Sequence, residues 1–424
     1  MIKMKNGKLQ KWIVLIMVAL IGGMISKLPY LKDSYYSALL EASGATNTQL
    51  GLILTAYGIM NTIVYIPGGF LADKFSPKKL IVISCFGTAI IGFWYATLPG
   101  FGSLVIIHAL FGITTIFTFW ASMVKITNNL GKYDEQGKMF GLLESGRGLV
   151  STVFGFAAAA VFTHYVDDIL GLRGVIIFWS VLLALDGILA ILFIEDPEKI
   201  EGNAIADDGT KMRWEDMKAV IKIPRVWLAG IVIACNYTAN LMFGYVVPYL
   251  ADGYGVDSST VAFIGVFRAN VLMFLGSIVA GVFADKLKSV IKFWTYGFIG
   301  MSAVAFLYLL IPTNRSMTWI VIVNLMLQGT FILAVKAMYF AVIDELNINK
   351  RLAGTASGLL SIVGYAPEMF AFTLAGSLID NNPGVLGYHK IFILIGVFSI
   401  LGLILAFVLK KVNSQYNVEI QRQP

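Results

Sequence analysis

The sequence predicts an all-α integral membrane protein of twelve transmembrane helices arranged as two six-helix pseudo-repeats, and three observations carry that expectation. Hydrophobic residues make up 58% of the 424-residue chain and charged residues 13%, against roughly 45–50% and about 25% in soluble domains. Twelve segments reach the length of about 20 mostly apolar residues that a bilayer span requires. A short motif also occurs twice: GFLADKFSPKK at 69–79 and GVFADKLK at 281–288, with Asp73 and Asp285 separated by 212 residues, half of the chain. Each copy ends an apolar helix and leads into a basic turn, so the chain reads as two copies of one membrane unit.

The segments, in order, are 12–31, 49–72, 79–98, 103–128, 139–162, 174–195, 226–250, 260–284, 290–311, 318–343, 353–379 and 389–409. The first follows a basic tip with Lys3, Lys5, Lys8 and Lys11. It carries no small-residue cleavage site and is read as a retained helix rather than a leader. Of the 32 Lys and Arg residues, 23 fall in the tip, the even-to-odd loops, the linker and the tail. Only Lys27, Lys32, Arg173, Arg315 and Lys390 lie toward the opposite side. The basic side is expected in the cytoplasm, with both termini there, in a cell (plasma) membrane. The net charge of +7 is thus accounted for by membrane orientation, without nucleic acid as a partner.

Three parts follow: an N-terminal bundle over 1–195, a cytoplasmic linker over 196–225 and a C-terminal bundle over 226–424. The linker is the only long polar stretch, and one amphipathic helix is expected around Arg213–Ile223, with Trp214, Met217, Val220 and Ile221 along the membrane surface. Cys85 and Cys235 fall inside different spans and are read as small buried hydrophobes. The spacing suits neither disulfides nor a metal, and no cofactor is expected. His108, His164 and His389 are read as interfacial. No nucleophile with a base and no phosphate-cradling glycine loop is found, so an enzyme is not expected.

The doubling extends beyond the motif. Gly141 has a counterpart in Gly354 and Lys125 in Lys336, at offsets of 213 and 211 residues. Gly141, Gly146, Gly148 and Gly155 on helix five, and Gly354, Gly358 and Gly364 on helix eleven, are spaced for close backbone approach in lipid.

Charges at bilayer depth cost about 2.5–3.5 kcal/mol each on insertion scales, so each marks a candidate functional site. They are Lys27, Lys125, Glu144, Arg147, Asp186, Arg268, Lys336 and Glu368. Glu144 and Arg147 share a helix face; they pair with each other, or Glu144 pairs with Lys125 and leaves Arg147 free. Lys125 and Lys27 are near enough to opposite interfaces to snorkel. Arg268 and Lys336 are deeper, with no acid in their own spans. With Asp186 and Lys125 set aside, four cations face two acids, and a small organic anion is the economical partner. Tyr57, Asn61, Trp120, Asn236, Tyr237, Asn240, Asn270, Asn324, Gln328 and Tyr365 are available to hold the rest of a hydrophilic solute. Glu368, beside Pro367, is read as a proton carrier or as the static partner of Lys336 or Arg268; Glu144 is the other candidate for coupling.

The doubled pattern G-x-L-A-D-K-x-x-x-K-K resembles the loop between the second and third helices of the major facilitator superfamily of secondary transporters. That resemblance implies a central cavity lined by helices 1, 2, 4, 5, 7, 8, 10 and 11, with 3, 6, 9 and 12 facing lipid. All the intramembrane charges except Asp186 then fall on cavity helices. It also implies a gating latch, here Gly69, Asp73, Lys74, Lys78 and Lys79, with a weaker copy in Gly281, Asp285 and Lys286. The runs ISKLPYL on helix one and RLAGTASGLLSIVGYAPE on helix eleven resemble the organophosphate:phosphate antiporters and their anion:cation symporter relatives. Ser26 stands where that branch has the first residue of a basic pair, and 228–250 lacks its helix-seven cation. The function implied is symport or antiport of a sugar phosphate, sugar acid or sulfonated sugar by a monomer, coupled to protons or an exchanged anion. Two alternatives are a proton-coupled drug or metabolite exporter, and a non-transporting solute sensor on the same fold.

Overall fold

A computed structural model describes residues 7–130, 136–196, 214–349 and 352–422; the side chains of Asp73 and Asp285 fall outside the described set. The described residues form helices and turns, with no strand among them. Twelve helical rods account for the twelve expected segments. They are α1 (Gly7–Met24), α2 (Asn47–Lys74), α3 (Pro77–Tyr95), α4 (Phe101–Asn129), α5 (Gln136–Thr163) and α6 (Asp168–Phe193). In the second half they are α7 (Pro224–Tyr254), α8 (258–287), α9 (Val290–Leu307), α10 (Arg315–Ala337), α11 (Ala353–Asp380) and α12 (Leu386–Arg422). Among the described residues, nine helices are long and apolar enough to cross a membrane. Helices Lys32–Ser43 and Trp214–Ile221 lie outside the series.

Several boundaries differ from expectation for local reasons. The first helix ends at Met24 and continues to Leu31 as turns, passing through Pro29, which cannot donate to a ladder. The eleventh is interrupted where Pro367 was expected to break it: a 3₁₀ turn at Ala366–Met369 joins Ala353–Tyr365 to Ala371–Asp380. Two rods contain widened π turns, Ile113–Trp120 in α4 and Phe267–Val271 in α8. Such turns are uncommon and concentrate at functional sites.

The chain divides into two compact units, Met1–Asp207 with Asp257–Val271, and Asp208–Val256 with Leu272–Pro424. The first part of α8 therefore belongs with the first unit. Gly265 explains the close approach: a Cβ there would lie 2.7 Å from the Asp33 carbonyl oxygen and 2.7 Å from Ser34 Cα. Phe263 stacks on Phe156 of α5 at 6.2 Å between ring centroids. A Cβ on Gly155 would meet Val266 and Asn270, and one on Gly146 would meet Ala19.

Both units fix the start of their third helix in the same way. Ser76 Oγ accepts from Lys79 N–H and Ser289 Oγ accepts from Lys292 N–H, a repeat at an offset of 213. Each serine in turn donates to a carboxylate that also accepts a backbone N–H of the helix. Asp196 takes Ser76 and Lys78, while Glu345 takes Ser289 and Ile291. Acidic groups at helix N-termini are favoured by the aligned peptide dipoles.

Two expectations need correction. Asp186, assigned to a lipid-facing helix, is 2% exposed. It lies on the face of α6 that packs on α3, where Gly187 abuts Phe86. His108 is buried rather than interfacial, bonded to Leu104 O and edge-on to Tyr95 and Phe111. Lys125 Nζ donates to Ala72 O at 2.8 Å, satisfying a carbonyl at the end of α2. Both cysteines are buried, as expected.

Candidate functional site

The first unit gathers cations around the turn that follows α1. Lys27 Nζ donates to Asn270 Oδ1 at 2.8 Å, and Asn270 Nδ2 is fixed by Val266 O. Arg268 Nη2 stands 3.5 Å from Asp33 Oδ1, which also receives Lys32 Nζ at 2.7 Å. Arg268 and Lys32 are buried, while Asp33 retains some exposure. Arg268 and Asn270 both lie on the π turn of α8, whose widened backbone sets their direction. The acid opposite Arg268 is thus Asp33, a residue the hydropathy pattern assigned to a loop.

On α5, Arg147 is held from three directions. Its Nη1 meets Glu144 Oε1 at 2.5 Å, its Nε donates to Gly22 O, and its guanidinium lies 5.3 Å from the Trp120 ring centroid. A Cβ on Gly22 would lie 3.0 Å from Arg147 Cδ, so glycine makes room for this side chain. Of the two pairings open to Glu144, the one with Arg147 is formed. Tyr57 OH is bonded to Thr115 Oγ1 and its ring is edge-on to Tyr30.

The second unit gathers phenols around a carboxylate. The Tyr237 hydroxyl donates to Glu368, both groups being buried. Lys336 Nζ stands 5.5 Å over the Tyr237 ring, so the lysine and the glutamate share one tyrosine. Tyr365 packs edge-on to Tyr237 at 4.7 Å, and Tyr339 lies 6.4 Å beyond Tyr365. Tyr339 OH donates to Asn236 Oδ1, and Asn236 Nδ2 donates to Met301 Sδ. Gln328 is fully buried with neither amide atom hydrogen-bonded, and Asn240 makes no hydrogen bond among the described residues.

The geometry therefore consists of helices carrying buried charges in one half and a phenol-bonded acid in the other, without a metal-ligand cluster among the described residues. The sequence profile of the Major Facilitator Superfamily matches residues 12–372. The chain belongs to the major facilitator superfamily. Among its relatives, inner membrane protein YihN of Escherichia coli is 30% identical over 412 residues, covering 97% of this chain and 98% of the relative. The probable sulfoacetate transporter SauU of Cupriavidus necator is 24% identical over 378 residues, covering 81% of each chain. The structure of a bacterial homolog of the human lysosomal transporter Spinster superposes with a TM-score of 0.72 at 13% identity, covering 97% of this chain and 99% of that one. This superfamily member is accordingly a multi-pass membrane protein and a secondary transporter of small solutes.

The doubled motif of the superfamily is visible here through its backbone. Asp73 lies in the last turn of α2 and Asp285 near the end of α8; their side chains lie outside the described residues. Lys78 Nζ donates to Ile191 O at 2.8 Å, tying the turn to the end of α6. Lys74 and Lys79 are exposed. Lys286 Nζ lies 5.8 Å from the Phe283 ring centroid. Gly69 and Gly281 both have open space where a Cβ would stand.

Proposed function

We propose that the protein moves a small organic anion by alternating access, with Lys27 and Arg268 as principal ligands and Arg147 and Lys336 as further cations. The observation that carries this reading is the Asp33 carboxylate, which sits against Lys32 and Arg268 as a resident anion. A carboxylate or sulfonate entering from solution competes with it for the same donors. Arginine suits such groups through its planar fork and lysine through its point charge. The relative named as a sulfoacetate transporter supports a solute with these head groups. Sugar acids, sulfonated sugars and sugar phosphates are the candidate class, with Tyr57, Trp120, Asn236, Tyr237, Asn240, Gln328 and Tyr365 serving its neutral part.

Coupling falls to Glu368, whose proton exchanges through the Tyr237 bond, with Glu144 the charge that steadies Arg147. The latch is assigned to Gly69, Asp73, Lys74, Lys78 and Lys79, and to Gly281, Asp285 and Lys286. A monomer with both termini in the cytoplasm, in two bundles over 1–195 and 226–424, completes the reading. The exporter reading has one observation in its favour, the buried Asp186 with Oδ2 unpartnered.

The test is a thermal-unfolding panel on detergent-purified protein, setting sulfonates, sugar acids and sugar phosphates against neutral sugars and lipophilic cations. A ligand at a hundred times its Kd stabilises the folded state by about 2.7 kcal/mol. Anions alone are expected to raise the midpoint, and Arg268→Gln to weaken that binding about a hundredfold. A shift produced only by lipophilic cations overturns the reading in favour of export.

A further inference from the structure

The second unit contains a cavity of about 630 Å³ remote in sequence from the intramembrane charges. It is bounded by the turn before α7, the turn after α10 and the far end of α12. Its polar lining is Lys222, Arg225, Asn347, Asn349, Gln415 and Tyr416, with no acidic residue lining it among the described residues. The volume is within the range of about 300–1,000 Å³ usual for small-molecule sites.

Arg225 is the organising group. It is 6% exposed, and its Nη1 donates to Leu346 O and Asn413 Oδ1. Its guanidinium carbon lies 3.3 Å from the Tyr416 ring centroid. These contacts fix the plane of the guanidinium. Its Nε and Nη2 edge makes no hydrogen bond among the described residues, which leaves a two-donor fork for the space that the side chain lines. A planar fork held rigid by stacking is the geometry that recognises phosphate and carboxylate.

Two further features add positive potential. Lys222 lines the same cavity, and α7 begins there at Pro224 behind Ile223, which supplies no side-chain cap. The 20-residue helix thus begins at the cavity wall, and the positive end of its dipole lies beside it.

We propose that this cavity is a second anion site, distinct from the transport ligands, and that it takes a phosphate ester. Two cations and a helix N-terminus balance a phosphate better than a single carboxylate, and Gln415 supplies an amide for its ester oxygens. Ile223, Ile348, Leu352 and Val412 form an apolar wall for the organic part. The ester is supplied either by a phospholipid headgroup or by a soluble phosphorylated metabolite. Occupancy joins the start of α7 to the end of α12, so the site is suited to regulating the unit rather than to carrying cargo.

The experiment uses the full chain in nanodiscs of phosphatidylcholine, with or without phosphatidic acid, and separately in phosphatidylcholine with glycerol 3-phosphate. The readout is the thermal midpoint over a titration. A shift with phosphatidic acid identifies the lipid source, and a shift with glycerol 3-phosphate the soluble one. In either case Lys222→Gln, an exposed position that leaves the Arg225 contacts intact, is expected to weaken binding about tenfold. Arg225→Gln is expected to weaken it further, and Arg268→Gln to leave it unchanged. Absence of a shift with both probes overturns the proposal, as does a shift that Lys222→Gln leaves at full strength. Loss on Arg268→Gln alone assigns the effect to the transport ligands and overturns the second site. None of these outcomes depends on whether the cargo is an anion.

Discussion

The two units keep the same helix ends and have different interiors. Ser76 and Ser289 cap equivalent helices through the same bond to a lysine N–H, each backed by a carboxylate. Between those ends, the first unit collects Lys27, Lys32, Arg147 and Arg268 about two acids, while the second places one acid, Glu368, among Tyr237, Tyr339 and Tyr365. Caps are constrained by backbone geometry, which both copies share. Interior polar groups are constrained by what they bind, and there the copies have diverged. The proposed anionic cargo is assigned to the unit rich in cations, and the proposed coupling proton to the unit holding one phenol-bonded acid.

The largest effect that would break this comparison is on coupling. Glu368→Gln is expected to lower uphill accumulation of the anion under a proton gradient by about tenfold or more, while the midpoint shift produced by anion binding persists. Undiminished accumulation by that variant would reduce Glu368 to a structural partner of Tyr237 and remove the division of labour. Glu144→Gln is expected to cost less, because Arg147 keeps Gly22 O and the Trp120 face.

The shared ends make a smaller and more symmetrical prediction. Ser76→Ala and Ser289→Ala are each expected to destabilise their unit by about 1 kcal/mol, the usual cost of losing an N-cap. Similar losses in detergent unfolding would confirm that the caps are equivalent; a large asymmetry would mean that Asp196 and Glu345 support their helices unequally.

The smallest effect concerns pH at the start of α8. Asp257 caps that helix, and the bonds it accepts from Thr260 N–H and Oγ1 hold its carboxyl below the usual carboxylate range. A depressed folded pKa means that this stabilisation is complete above the unfolded value of about 3.9 and is lost as pH falls through the folded one. Asp257→Ala is therefore expected to be less stable than the parent at neutral pH by about 1 kcal/mol, with the difference closing in acid. A difference that is constant with pH would show that the cap acts without its charge.

The fold could be read from the sequence because span length, loop charge and the doubled motif are all local or strictly periodic signals. All twelve expected segments fall on helical rods, and the break at Pro367 lies where the proline demanded it. The site was legible only by residue type. Lys27, Arg147, Arg268, Lys336 and Glu368 were identifiable as charges at depth, but their partners lie far away in the chain. Tyr237 and Glu368 are 131 residues apart, and Lys27 and Asn270 are 243 apart. Asp33 was missed because hydropathy ends the first span just before it, and no local feature links it to Arg268. Asp186 was misplaced because a helix with one lipid face also has a buried one, and periodicity in a uniformly apolar rod does not tell them apart.

The π turn at Phe267–Val271 has a consequence in the grammar of insertions. The division between the two units falls at its end, between Val271 and Leu272. One residue advances an α-helix by about 100°, so a rod that absorbs an extra residue in a widened turn leaves its two parts out of phase. The residues before and within the turn keep the frame that aims Arg268 and Asn270 at the end of the first helix. Those after it run in the frame of the second unit. One rod thus carries its side chains in two registers, one on either side of the widened turn.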